Sequence, residues 1–262
     1  ALHAKGPRHM NGASDTMLGS YLGPAFEQAE IEKRLSKVGA RFTVLDDQSL
    51  LDQTVDGLIG GEAIGWFQGR MEFGPRALGA RSILGDPRNP EMQKTLNLKI
   101  KYRESFRPFA PSVLAEDAST YFNIDSESPY MLLVADVLEE RRRTMTTKEE
   151  ALWGIDKLNV PRSDIPAVTH VDYSARIQTV HNDTNPRYHA LLSAFKARTG
   201  CSVLVNTSFN VRGEPIVGSP EDAFRCFMGC EMESLAIGNC FLRKREQDAT
   251  LAVDYKEQFE LD

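Results

Sequence analysis

The stretch Gly69–Ser112 reads GRMEFGPRALGARSILGDPRNPEMQKTLNLKIKYRESFRPFAPS. Between Gly69 and Arg107 it carries nine Lys or Arg (Arg70, Arg76, Arg81, Arg88, Lys94, Lys99, Lys101, Arg103, Arg107) against four acids (Glu72, Asp86, Glu91, Glu104). The local balance is +5, in a chain of 262 residues with a formal net charge of −6. The cations alternate with Gly, Pro and aromatic residues, whereas a solvated helix face more often mixes Lys with Glu. Guanidinium forks beside Gly-Pro turns suit a planar or tetrahedral anion, because they donate paired hydrogen bonds to phosphate or carboxylate. A basic solvated strip with ordinary turns is the plainer explanation of the same composition.

Outward from this stretch, short apolar runs alternate with helical patterns. Ala25–Val38 has helical spacing and stops at Gly39, and Arg41–Leu45 reads as a strand. Asp47 is placed to cap a helix that runs to Gly60-Gly61. Ala63–Phe67 is an apolar strand leading into the basic stretch. Pro90–Leu98 reads as a helix with Pro in its first turn, and Pro111–Leu114 as extended. Tyr130–Val137 (YMLLVADV) reads as a buried strand. The charged segment Glu139–Ser163, with Arg141-Arg142-Arg143, reads as a solvated excursion holding one short helix near Lys148–Trp153. Ala175–Val180 is a strand, Pro186–Lys196 a helix stopped by Gly200, and Ser202–Val205 a strand. A helix opens at Pro220, and Leu235–Gly238 and Phe241–Arg243 close the pattern as strands. The alternation predicts an α/β fold.

Composition excludes several functions. No apolar run approaches the roughly 18 residues of a membrane helix, so no membrane partner is expected. An acidic chain lacks the broad basic face of a nonspecific nucleic-acid binder, which argues against an RNA-binding module. Cys201, Cys226, Cys230 and Cys240 lack zinc-site spacing and read as reduced core thiols of a cytoplasmic protein. The histidines His3, His9, His170, His181 and His189 show no metal spacing, so no protein-held metal is expected. His170 is read as a structural, hydrogen-bonded histidine ahead of a ligand contact.

Three constellations could carry chemistry. Lys101 and Arg103 would share one face if Lys101-Tyr102-Arg103 were a strand, with Arg107 following. Ser208 and Asn210 stand two apart after the apolar strand that leads into Asn206-Thr207, a favoured ligand position in open α/β sheets. Arg176 lies in an otherwise apolar strand, and a buried Arg needs an anionic partner. Each also fits a plain role: edge-strand charges, turn residues before Gly213, and a structural pair with Asp172.

Together the motifs carry a resemblance. GRMEFGPRALGARSIL (Gly69–Leu84), YRESFRPFAPSVL (Tyr102–Leu114), SPYMLLV (Ser128–Val134), PAVTHVDYSARIQTV (Pro166–Val180) and LVNTSFNVRGEPIV (Leu204–Val217) resemble, in order, the C-terminal portion of NodU/CmcH-type O-carbamoyltransferases. MLGSYLGPAF (Met17–Phe26) looks like the junction between that family's two halves. The resemblance implies a YrdC-like α/β domain, a twisted mixed sheet with flanking helices, over residues 26–245. Residues 1–25 would then be the tail of an ATPase-like N-terminal domain with its linker, and residues 246–262 an acidic tail. It implies that this half binds carbamoyl phosphate and ATP, with Mg²⁺ arriving on the nucleotide, and forms carbamoyl adenylate. The other half would pass the carbamoyl group to a hydroxyl of a small molecule.

The Lys-x-Arg and Ser-x-Asn signature of YrdC-like domains matches Lys101/Arg103 and Ser208/Asn210. The resemblance makes Lys101, Arg103 and Arg176 the catalytic cations. It makes Ser208, Asn210, Arg107, Arg76, Asn206 and Thr207 substrate-binding, with Arg76 and Arg81 facing either the pocket or the other half. A homodimer is compatible with it. The GPRALG-type motif favours this family over a threonylcarbamoyl-adenylate synthase.

Overall fold

In the computed structural model, which describes residues 17–252, nine strands form one mixed sheet. They are β1 (Thr43–Val44), β2 (Ile64–Phe67), β3 (Arg81–Gly85), β4 (Ala110–Leu114), β5 (Leu133–Asp136), β6 (Ser174–Val180), β7 (Val203–Ser208), β8 (Ser234–Ile237) and β9 (Cys240–Arg243). Their order is β1-β9-β8-β2-β3-β7-β4-β6-β5. The β2/β8 and β4/β6 pairs are parallel and the others antiparallel. The helices are α1 (Gln28–Lys37), α2 (Asp47–Ile59), α3 (Met92–Thr95), α4 (Thr147–Glu150), α5 (Gly154–Leu158), α6 (Pro186–Thr199) and α7 (Pro220–Gly229). α2 packs on α6 and α1 on α7, and α2, α6 and α7 rest on the central strands. Every residue of β2, β3, β4 and β8 is buried, as strands covered on both faces must be. The expected α/β fold with a mixed sheet and flanking helices is the fold observed.

Several local expectations are corrected. The cap of α2 is Asp46, whose carboxylate accepts from Ser49 N at 2.8 Å, because Asp46 and not Asp47 has the extended backbone of a cap. The helix expected over Pro90–Leu98 is α3 followed by a π-helical turn, Leu96–Ile100. Lys101-Tyr102-Arg103 is therefore not a strand: Lys101 N still bonds back to Leu96 O, and Tyr102 has φ +46°. The run Tyr130–Val137 yields an exposed edge strand, with Leu132 68% and Val134 62% exposed, because β5 pairs only with β6 at the end of the sheet. The excursion Glu139–Ser163 holds two short helices, α4 and α5. Its Arg triplet is paired residue by residue with Asp164, Asp136 and Glu149.

Residues 17–24 are laced to the basic stretch: Gly23 N donates to Met71 O, Met71 N to Pro24 O and Phe73 N to Ser20 O. His3, His9, most of the 1–25 tail and the end of the acidic tail lie outside the described residues. All four cysteines are buried and unbridged.

Candidate functional site

β7 is the strand on which the site is built. It lies between β3 and β4, with Asn206 opposite Ala110, and β4 sets Ser112 beside Gln178 of β6. At the carboxyl end of β7 opens a cavity of about 160 Å³, lined by Arg76, Arg103, Arg176, Asn206, Thr207 and Ser208, with Pro75, Ala77, Pro108, Phe109, Ala110 and Met131. Three guanidiniums from three distant segments thus meet in one place. Among the described residues, none of the three has a carboxylate within ion-pair distance, and the enclosed Nε of Arg176 has no hydrogen-bond partner. Burial, and then the nearby Arg76, lower the pKa of Arg176. Burial, and then Arg107, lower that of Arg103 to about 10. Cations that weaken one another are best relieved by an anion. At about 4 Å and an effective dielectric near 20, each guanidinium–anion contact is worth about 4 kcal/mol in Coulomb terms before desolvation.

The predicted cations separate by role. Arg103 is aimed by Asn97, whose Oδ1 accepts from its Nε at 2.6 Å, and its guanidinium lies 4.9 Å above the Phe109 ring. Lys101 does not share its face. The Lys101 Nζ lies within 3.3 Å of four acceptors: Ser208 O, Ser208 Oγ, Asn210 O and Asn210 Oδ1. Burial pulls its pKa down to about 7, while those acceptors favour the ammonium. Lys101 and Asn210 therefore sit one layer behind the cavity, holding the β7 end that presents Ser208. Arg107 is half exposed, near Glu104 at 3.7 Å, and does not line the cavity. Nor does His170, a half-buried residue whose backbone pairs with Ser174. Asp172 bonds Ser174 rather than Arg176.

The sequence leaves four positioning residues unread. Glu72, 5% exposed, accepts on one oxygen from the N–H groups of Leu78, Ala80 and Arg81, and so folds the loop that carries Arg76. Asn97 braces Arg103 and, through Nδ2, the carbonyls of Ser105 and Arg107. Ser112 and Gln178 form a buried polar floor with Asn206. Only the last three give any signal, as polar residues inside apolar runs. Arg81 is resolved as structural: it is fully buried, stacks on Phe67 and donates to the carbonyls of Gln68, Gly69, Ala80 and Pro24.

The cavity tests the expected ligands. Its volume lies below the roughly 300 Å³ at which small-molecule pockets begin, so it fits one small phosphorylated anion, and a nucleotide would have to extend across its mouth. No carboxylate lines it, so the chain offers Mg²⁺ no anionic ligand there. Among the described residues no group of three His, Cys, Asp or Glu could hold a metal, and no helix is long and apolar enough to cross a membrane.

The chain is an α/β domain with an arginine-walled cavity at a strand end. The family model described as Carbamoyltransferase C-terminus matches residues 55–244, and the chain belongs to that family. It is 60% identical over 255 residues to the uncharacterized protein sll1178 of Synechocystis sp., covering 95% of this chain and 41% of that one. It is 40% identical to the nodulation protein NolO of Bradyrhizobium diazoefficiens, covering 86% and 38%. It is 37% identical to the 3'-hydroxymethylcephem-O-carbamoyltransferase of Amycolatopsis lactamdurans, covering 74% and 33%. The chain thus spans about two fifths or less of the length of these relatives.

Proposed function

We propose that this chain is the carbamoyl-activating part of an O-carbamoyltransferase. Arg76, Arg103 and Arg176 would hold the phosphate of carbamoyl phosphate, and the mouth of the cavity would take ATP. Carbamoyl phosphate would lose its phosphate to water, and an oxygen of the resulting carbamate would attack the α-phosphorus of ATP. The bond from that phosphorus to pyrophosphate breaks, leaving carbamoyl adenylate. Such transfers depend on positioning and charge, so no side-chain nucleophile is required. The guanidiniums would neutralise phosphate charge in place, with Arg176 Nε among the donors. Lys101 would keep Ser208 at the rim, so its role is to position the β7 end rather than to touch the transferred group.

The observation that carries this reading is the meeting of three carboxylate-free guanidiniums around one small cavity. The 3'-hydroxymethylcephem-O-carbamoyltransferase supports transfer to a hydroxyl of a small molecule, which the remaining length of the relatives would perform. The 26–245 partition, the YrdC-like character, a cytoplasmic location, a homodimer, and Mg²⁺ carried on the nucleotide belong to the same reading. The test is pyrophosphate release from ATP. Release that requires carbamoyl phosphate supports activation. Its absence in folded protein that binds neither compound removes the proposal.

A further inference from the structure

Three guanidiniums ask only for an anion, and inorganic phosphate or any acyl phosphate would answer. Asn206 asks for more. The residue is 1% exposed and forms part of the cavity wall. Its Nδ2 has three acceptors: Ala77 O at 3.1 Å, Ser112 Oγ at 3.0 Å and Gln178 Oε1 at 2.8 Å. Its Oδ1 is enclosed and has no partner.

The orientation of this amide is dictated by its neighbours. A backbone carbonyl can only accept, so Ala77 O requires the nitrogen of Asn206. Leu78 O likewise requires the nitrogen of Gln178, which donates to it at 2.8 Å. Gln178 Oε1 is thereby turned to accept from both Ser112 Oγ, at 2.6 Å, and Asn206 Nδ2. Flipping either amide would set acceptor against acceptor. Two successive carbonyls of the loop that carries Arg76 therefore fix both side chains. With the nitrogen of Asn206 committed, Oδ1 is the one polar atom of this wall residue's side chain left without a partner. A buried acceptor is normally paired, so the fitting ligand carries an anion and, beside it, an N–H donor.

The geometry assigns Asn206 Oδ1 to recognition of the carbamoyl NH₂ of carbamoyl phosphate, with Gln178 as the positioning residue that aims it. This rests on the carbamoyl phosphate reading above and adds the determinant of specificity. Acetyl phosphate has nearly the same shape, but a methyl group replaces the amine and would leave Oδ1 unpaired.

Calorimetric titration of the unaltered protein with carbamoyl phosphate, acetyl phosphate and inorganic phosphate tests the assignment. Carbamoyl phosphate is expected to bind about 10–100-fold more tightly than acetyl phosphate, the range for leaving one buried group unpaired. Equal binding of the two acyl phosphates overturns the assignment and leaves the anion site standing. Binding of none of the three anions to folded protein overturns both. In Gln178→Leu the ratio between the two acyl phosphates should fall towards one, and a ratio unchanged from the unaltered protein overturns the positioning role. The unaltered protein by itself decides the Asn206 assignment, so a variant that misfolds does not protect it.

Discussion

At the scale of single residues, the site is a set of cations held apart from carboxylates. Arg176 has an enclosed, unpartnered Nε and a repelling neighbour, so it adds little to the stability of the empty fold. Arg176→Ala should keep the melting temperature within about 3 °C, roughly 1 kcal/mol for a domain of this size. Its affinity for carbamoyl phosphate should fall by at least about 100-fold, the cost of removing a partner from a buried charge pair. Calorimetry and thermal melting together check it, and unchanged affinity would remove Arg176 from the site.

Lys101 behaves in the opposite way. Its folded pKa is depressed towards 7 from an ordinary 10.5, chiefly by burial. Between those values the unfolded chain binds the extra proton, so this residue makes stability rise with pH from about 7 to 10.5. Lys101→Met should be less stable than the unaltered protein, because it strands four acceptors. It should also lack that rise when the two are melted side by side across the window. A parallel pH profile would contradict the buried placement.

Arg103, Ser208 and Arg176 of the cavity were legible as parts of short patterns, whereas Lys101 and Asn210 of the same patterns lie behind it. What they do was less legible. A strand reading of Lys101-Tyr102-Arg103 put both cations on one face, whereas Tyr102 at φ +46° turns them apart.

At the scale of elements, the loop between β2 and β3 is the part that must fold correctly. One oxygen of Glu72 gathers three N–H groups, and Gly79 takes φ +99° with its carbonyl accepting from Trp66 Nε1 at 3.0 Å. A Cβ on Gly79 would overlap the ring of Tyr188. Gly79→Ala should therefore cost about 3 kcal/mol or more, through both the left-handed backbone and the clash. The measurement is denaturant unfolding, and a loss under about 1 kcal/mol would contradict the packing described. Periodicity and Gly/Pro punctuation located most strands and helices, because those signals are local. They could not show that YMLLVADV (Tyr130–Val137) ends up at a sheet edge, since an apolar run looks the same at an edge as in a core. Nor could they show the π-turn, within which buried Asn97 reaches the carbonyls of Ser105 and Arg107.

At the scale of the whole molecule, a mixed sheet brings residues 76, 103, 176 and 206–208 to one strand end, although they are spread over more than half the chain. That convergence depends on strand order, which no sequence window contains. The chain spans 41% of its Synechocystis relative. Assayed alone, it is expected to release pyrophosphate but to carbamoylate no hydroxyl acceptor, as followed by product mass. Transfer by this chain alone would contradict the division of labour. The most direct measurement is a crystal structure with carbamoyl phosphate bound. The phosphate is expected between Arg76, Arg103 and Arg176, with the carbamoyl nitrogen on Asn206 Oδ1. Density for the anion elsewhere, with this cavity holding only water, would contradict it.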